Sequence, residues 1–153
     1  MNPEEIRATI DDFIDLLENG KEDTQANLHA LELILDRLAL AYHFADVKSE
    51  GYDSDAPAFE FNPLRELATA RFPGFGYYNE PRNMLVQIGE AELLTGDALD
   101  DIADMAKDLY EVRWHWENTS EKAALWQFCF GYRYLWGAQL RSLQSYLYTL
   151  LYK

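Results

Sequence analysis

The stretch Ala124-Leu125-Trp126-Gln127-Phe128-Cys129-Phe130-Gly131-Tyr132-Arg133-Tyr134-Leu135-Trp136-Gly137 admits two readings. Trp126, Phe128, Phe130, Tyr132, Tyr134 and Trp136 alternate with period two, the mark of a strand. The same window carries Leu125, Phe128, Tyr132 and Trp136 at spacings of three and four, the mark of a helix. Leu140, Leu143, Leu147 and Leu150 continue that second pattern without a turn signal. The helical reading is preferred, and it predicts one unbroken helix over residues 121–151.

Working towards the N-terminus, Ile102, Met105, Leu109, Val112 and Trp116 form an apolar stripe on a helix over 97–117, with Thr95 as its expected cap. Residues 3–18 read as an amphipathic helix capped by Asn2, started by Pro3 and ended by Asn19-Gly20. A longer helix covers 22–46, with Leu28, Leu31, Leu35, Leu38 and Tyr42 in line. Residues 47–61 are polar and turn-rich, an exposed loop. Asn62 and Pro63 open a short helix to 71, and 72–95 is irregular, with a short extended stretch at Met84–Ile88. The fold class is all-α: residues 1–153 form a single domain with a four-helix bundle-like core and an irregular insertion between helices 2 and 3.

Composition narrows the function. The 153 residues carry 13 basic and 27 acidic side chains, a net charge of −14. Such a chain repels phosphate, which argues against nucleic acid and against an anionic membrane as partners. No apolar run reaches the length of a spanning helix. One cysteine, Cys129, precludes an intramolecular disulfide and suits a reducing, cytoplasmic compartment.

The run Gly96-Asp97-Ala98-Leu99-Asp100-Asp101-Ile102-Ala103-Asp104-Met105-Ala106-Lys107-Asp108-Leu109 and the later Ala124-Leu125-Trp126, Phe130, Tyr132, Trp136-Gly137 carry a resemblance. Together they resemble a signature of uncharacterised bacterial proteins, the family catalogued as domain of unknown function five-zero-six-three. The resemblance is clear over about residues 95–150, although Arg141 and Leu143 depart from the closing spacing. It implies a small helical bacterial protein and brings no activity, cofactor or catalytic residue.

The residues themselves suggest a site. Asp97, Asp101, Asp104, Asp108, Glu111 and His115 recur every three or four positions, so they share one helix face. Like charges at that spacing repel, so compensation is expected. In an antiparallel hairpin of the last two helices, Arg141 falls opposite Asp97, and Arg133 lies near Asp104 and Asp108. Gly137 between the arginines allows close approach. Arg133 and Arg141 would then be ion-pair partners or, with Gly137, hold an anionic ligand. The alternative is a metal site on Asp104, Asp108, Glu111 and His115, binding iron, manganese or zinc. His29, Glu32, Asp36 and His43 form a second polar stripe that could face the first. The Glu-x-x-His pattern of di-iron bundles is absent.

A third feature is the aromatic load near the C-terminus. Trp114, Trp126, Tyr146 and Tyr148 are candidates for a patch that binds a protein partner or a second copy of the chain. The leading expectation is a small acidic, non-enzymatic binding or adaptor protein without cofactor, engaging a protein partner with a basic surface. The alternative is a metal- or small-ligand-binding helical-bundle enzyme using the carboxylate and histidine stripe.

Overall fold

The computed structural model describes residues 1–45 and 55–153. It is mostly helical with one small sheet. Helix α1 (Pro3–Glu18) starts at a capping box, in which Asn2 and Glu5 each bond the other's backbone N–H. Helix α2 (Thr24–Phe44) is capped by Asp23. Helix α3 (Phe61–Arg71) follows Glu60, whose side chain makes no cap bond; Asn62, the expected cap, lies inside the helix. The expected loop at 47–61 falls mainly outside the described residues, and its described part, Asp55 to Glu60, forms no helix or strand.

Residues 72–95 depart from expectation. Strand β1 (Tyr77–Pro81) pairs antiparallel with β2 (Leu93–Asp97), in register Tyr77 with Asp97 and Pro81 with Leu93. The fold is therefore all-α only in the coarse sense. Met84 to Ile88 is not an extended strand but the tip joining β1 to β2. The hairpin feeds directly into α4 (Ala98–Asn118), where Asp97, not Thr95, caps the helix by accepting from the N–H of Leu99 and Asp100.

Helix α4 packs against α1, α3, α5 and α6, which makes it the hub of the core. Its apolar stripe is buried as expected through Ile102, Met105, Leu109 and Val112. The last segment is helical, which excludes the strand reading, but it is not one regular helix. Helix α5 (Glu121–Gly131) passes through a π turn (Tyr132–Trp136) into α6 (Gly137–Tyr152). The cause lies in the spacing. Phe128, Tyr132, Trp136 and Leu140 recur every four residues, and each such step overshoots a straight helix's face by about 40°. One extra residue in the turn absorbs that drift and keeps Phe128, Trp136 and Leu140 inside. Gly137 serves this turn, not a close approach to α4: a Cβ there would strike the carbonyl oxygen of Tyr132.

Candidate functional site

The acidic face of α4 is compensated differently from expectation. Asp97 and Asp100 meet Arg65 of α3, at 3.3 and 2.5 Å. Asp101, nearly buried, accepts a short bond from the Tyr78 hydroxyl of β1. Asp104 accepts from Gln139 Nε2 at 3.0 Å. Asp108 is 6% exposed and accepts two bonds, from Gln127 Nε2 at 2.6 Å and from the Trp136 indole N–H at 2.8 Å. Gln127 also reaches Glu111 Oε2 at 3.2 Å. Beyond Arg65 the seam is held by neutral donors: a phenol, an indole and two amides.

The expected ion pairs of Arg133 and Arg141 with this face are absent among the described residues. Both arginines are exposed. Arg133 lies over the Tyr134 ring, and Arg141 donates to the Tyr132 hydroxyl and Gln144. Gln127 of α5 faces α4 ahead of the π turn, and the turn brings Trp136 and Gln139 to the α4-facing side, away from 133 and 141. The glycine that permits close approach is Gly131. A Cβ on it would collide with the Asp108 carboxylate and the Trp136 indole nitrogen. Arg133, Gly137 and Arg141 consequently form no anion pocket together.

The electrostatics follow from this geometry. Burial pushes the Asp108 carboxyl up from 3.8 to about 6, against the pull of its Trp136 and Gln127 bonds. Asp101 is likewise raised by burial to about 6, with the Tyr78 bond opposing. Burial raises Glu111, with Lys107 opposing. Burial lowers His115, whose Nδ1 lies 2.9 Å from Thr119 Oγ1.

The four residues of the metal alternative do not converge: among the described residues, no three or more His, Cys, Asp and Glu side chains gather as a ligand set. Asp108 turns its oxygens to Trp136 and Gln127, and His115 sits inward at 1% exposure beside Thr119. The α2 stripe faces α6 instead of α4: Glu32 accepts from Tyr152 and Asp36 from Gln144, while His29 lies 3.8 Å from Glu32.

Above the seam is an open cleft of about 420 Å³. Asp104, Lys107, Asp108 and Glu111 of α4 form one wall, and Tyr134, Leu135, Trp136 and Gln139 the other, with Gln127 also lining it. The α4 wall carries three carboxylates and a single ammonium, Lys107. The cleft suits a cation carried on an apolar stem: carboxylates for the charge, Tyr134 and Leu135 for the stem. Outside the residues lining the cleft, burial pushes the Cys129 thiol up to about 11, which keeps it protonated at neutral pH.

The aromatic candidates separate. Tyr146 turns inward, where it accepts from the Gly76 N–H and rings with Phe75 and Tyr78. Trp114 packs edge-on against His115 and is half-buried. Tyr148 is exposed beside Tyr152. Trp126 stacks on Phe130, which leads to Tyr134 at the cleft. Phe130, Tyr134 and Leu135 are all exposed. Gln127, Gly131, Gln139 and Tyr78 were not foreseen as site residues. The pair Gly131 and Gly137, six apart in an aromatic helix, was the signal that could have pointed to the π turn.

The family model described as a domain of unknown function (DUF5063) matches residues 2–153. The crystal structure of protein BF1032 from Bacteroides fragilis, a structural genomics target, is similar with a TM-score of 0.74 and 15% identity. The match covers 97% of this chain and 91% of that one, and at this identity it establishes the fold alone. No curated protein matches significantly.

Proposed function

The chain belongs to the DUF5063 family, and we propose that it is a non-enzymatic binding protein whose α4 cleft receives a basic side chain from a protein partner. The observation that carries this reading is the cleft itself: Asp104, Asp108 and Glu111 on one wall, and Tyr134, Leu135 and Trp136 on the other. A lysine or arginine side chain satisfies both walls at once, with its charge on Asp104 and Glu111 and its methylenes on Leu135 and Tyr134, while Asp108 stays bonded to Trp136 and Gln127. The net charge of −14 supports it by steering a basic partner inwards. The reading needs no cofactor, and the iron, manganese or zinc alternative gains no supporting geometry among the described residues. A cytoplasmic setting accords with the lone free thiol, Cys129. No described helix is long and apolar enough to cross a membrane.

The test is a titration of isotope-labelled protein with N-acetyl-lysine methylamide and N-acetyl-arginine methylamide, followed by amide and indole resonances. The expected result is saturable shifts at the Trp136 indole and at the side-chain amides of Gln127 and Gln139. The uncharged norleucine analogue should cause none. Shifts scattered over the acidic surface, or unchanged in the double variant Asp104→Asn, Glu111→Gln, contradict the reading.

A further inference from the structure

The β1–β2 tip is the most exposed apolar segment described in the chain. Leu85 is 88% exposed, Met84 80%, Ile88 80% and Val86 55%. Four large aliphatic side chains within five residues stand in water, where a connecting loop is ordinarily polar. The tip is also held in shape. The Arg82 backbone N–H donates to the Glu92 carbonyl at 2.8 Å, and the two side chains pair at 2.7 Å, closing the loop's base. Asn83 Oδ1 accepts from the Leu85 N–H, an Asx turn, and the Gln87 carbonyl accepts from the Glu90 N–H. Gln87 itself adopts φ 55°, a left-handed conformation that costs a non-glycine residue energy. The loop thus spends backbone strain on presenting side chains that the chain's own core does not take up.

We infer that this tip is a docking finger for a protein partner that offers an apolar face bordered by lysine or arginine. Charge decides between the candidate occupants. Arg82 is engaged by Glu92, which leaves Glu90 to set the sign of the rim, and the chain as a whole carries −14. A second copy brings the same −14 to the contact and is repelled, as is an anionic lipid surface. A basic partner is attracted, and its apolar face covers the four side chains. This surface is separate from the α4 cleft and stands if the cleft reading fails.

The probe is a fluorescein-labelled synthetic amphipathic helix with leucine on one face and lysine on the other. Its counterpart carries glutamate in place of lysine. Binding is read by anisotropy at low and high salt, for the full chain and for Leu85→Ser, Ile88→Ser. Both proteins are also measured with Asp104→Asn, Glu111→Gln added, so that the cleft does not contribute. The expected result is binding of the lysine peptide that weakens with salt, falls at least tenfold in the tip variant in both backgrounds, and is absent for the glutamate peptide. The tip variant should melt at the native temperature, because no core contact is altered. Five results overturn the proposal: no binding of the lysine peptide; equal binding by native and tip variant; equal binding of the glutamate peptide; a native dimer that the tip variant dissolves in sedimentation; or tip-dependent binding to phosphatidylglycerol vesicles.

Discussion

The seam between α4 and the π turn and the tip of the β hairpin invert the usual distribution of side chains in opposite ways. The seam buries a carboxylate at Asp108 beneath Trp136, while the tip exposes Met84, Leu85, Val86 and Ile88. The seam's polar groups are satisfied within the chain: among the described residues, no buried side-chain nitrogen or oxygen lacks a partner. The tip's apolar groups are not satisfied within the chain. A buried polar group with all its bonds made explains itself as structure, whereas an ordered apolar group left in water calls for something outside the molecule.

This contrast can be broken by substitution. Trp136→Ala removes a fully buried ring and one of the two donors to Asp108, so it should cost about 3–5 kcal/mol in denaturant unfolding. A smaller loss would mean that the seam is looser than its hydrogen bonds indicate. Gly131→Ala should cost about 1–3 kcal/mol despite alanine's better helix propensity, because its Cβ meets the Asp108 carboxylate and the Trp136 indole. A gain in thermal midpoint would show that the helices can separate freely.

The pH dependence sharpens the same comparison. Asp101 and Asp108 have folded values near 6, above the ordinary 3.8, so the folded state holds their protons more tightly than the unfolded state does. Their contribution is therefore favourable below about 4 and is lost as pH rises through 6, by about 3 kcal/mol for Asp108 and by less for Asp101, which solvent screens more. Asp108→Asn removes one of the two. Unfolding free energies at pH 4 and pH 7 should differ by about 2 kcal/mol less in that variant than in the native chain. Equal slopes would assign the pH dependence elsewhere. The smallest effects belong to the exposed groups. Leu85→Ser with Ile88→Ser, and separately Arg133→Ala, should each change stability by less than about 0.5 kcal/mol. A large loss on Arg133→Ala would restore the ion pair to the α4 carboxylates.

What the sequence revealed follows the strength of the local signals. Helix α1 was legible from Asn2-Pro3 at one end and Asn19-Gly20 at the other. The stripe Ile102, Met105, Leu109, Val112 located α4 because all four face the core. The hairpin was not legible: β1 ends in Pro81, β2 contains Gly96, and the apolar run between them suggested a strand where the tip lies. The acidic face of α4 was read correctly as needing compensation. Its partners were misassigned because the register was drawn for two regular helices, and the π turn shifts the facing residues from Arg133 and Arg141 to Trp136 and Gln139. Oppositely charged residues are also the obvious partners in a sequence. An indole or an amide becomes a partner only when the fold buries it beside the charge.

The most direct test of this account is a carbon-13 titration of the Asp108 carboxyl in the native protein, with the Trp136 indole N–H observed in the same samples. The account predicts a midpoint near 6, with the indole resonance shifting over the same pH range because its acceptor changes charge. A midpoint below 4 with a static indole would contradict it, because burial would then not outweigh the carboxylate's hydrogen bonds and the indole would not be bonded to a group that titrates.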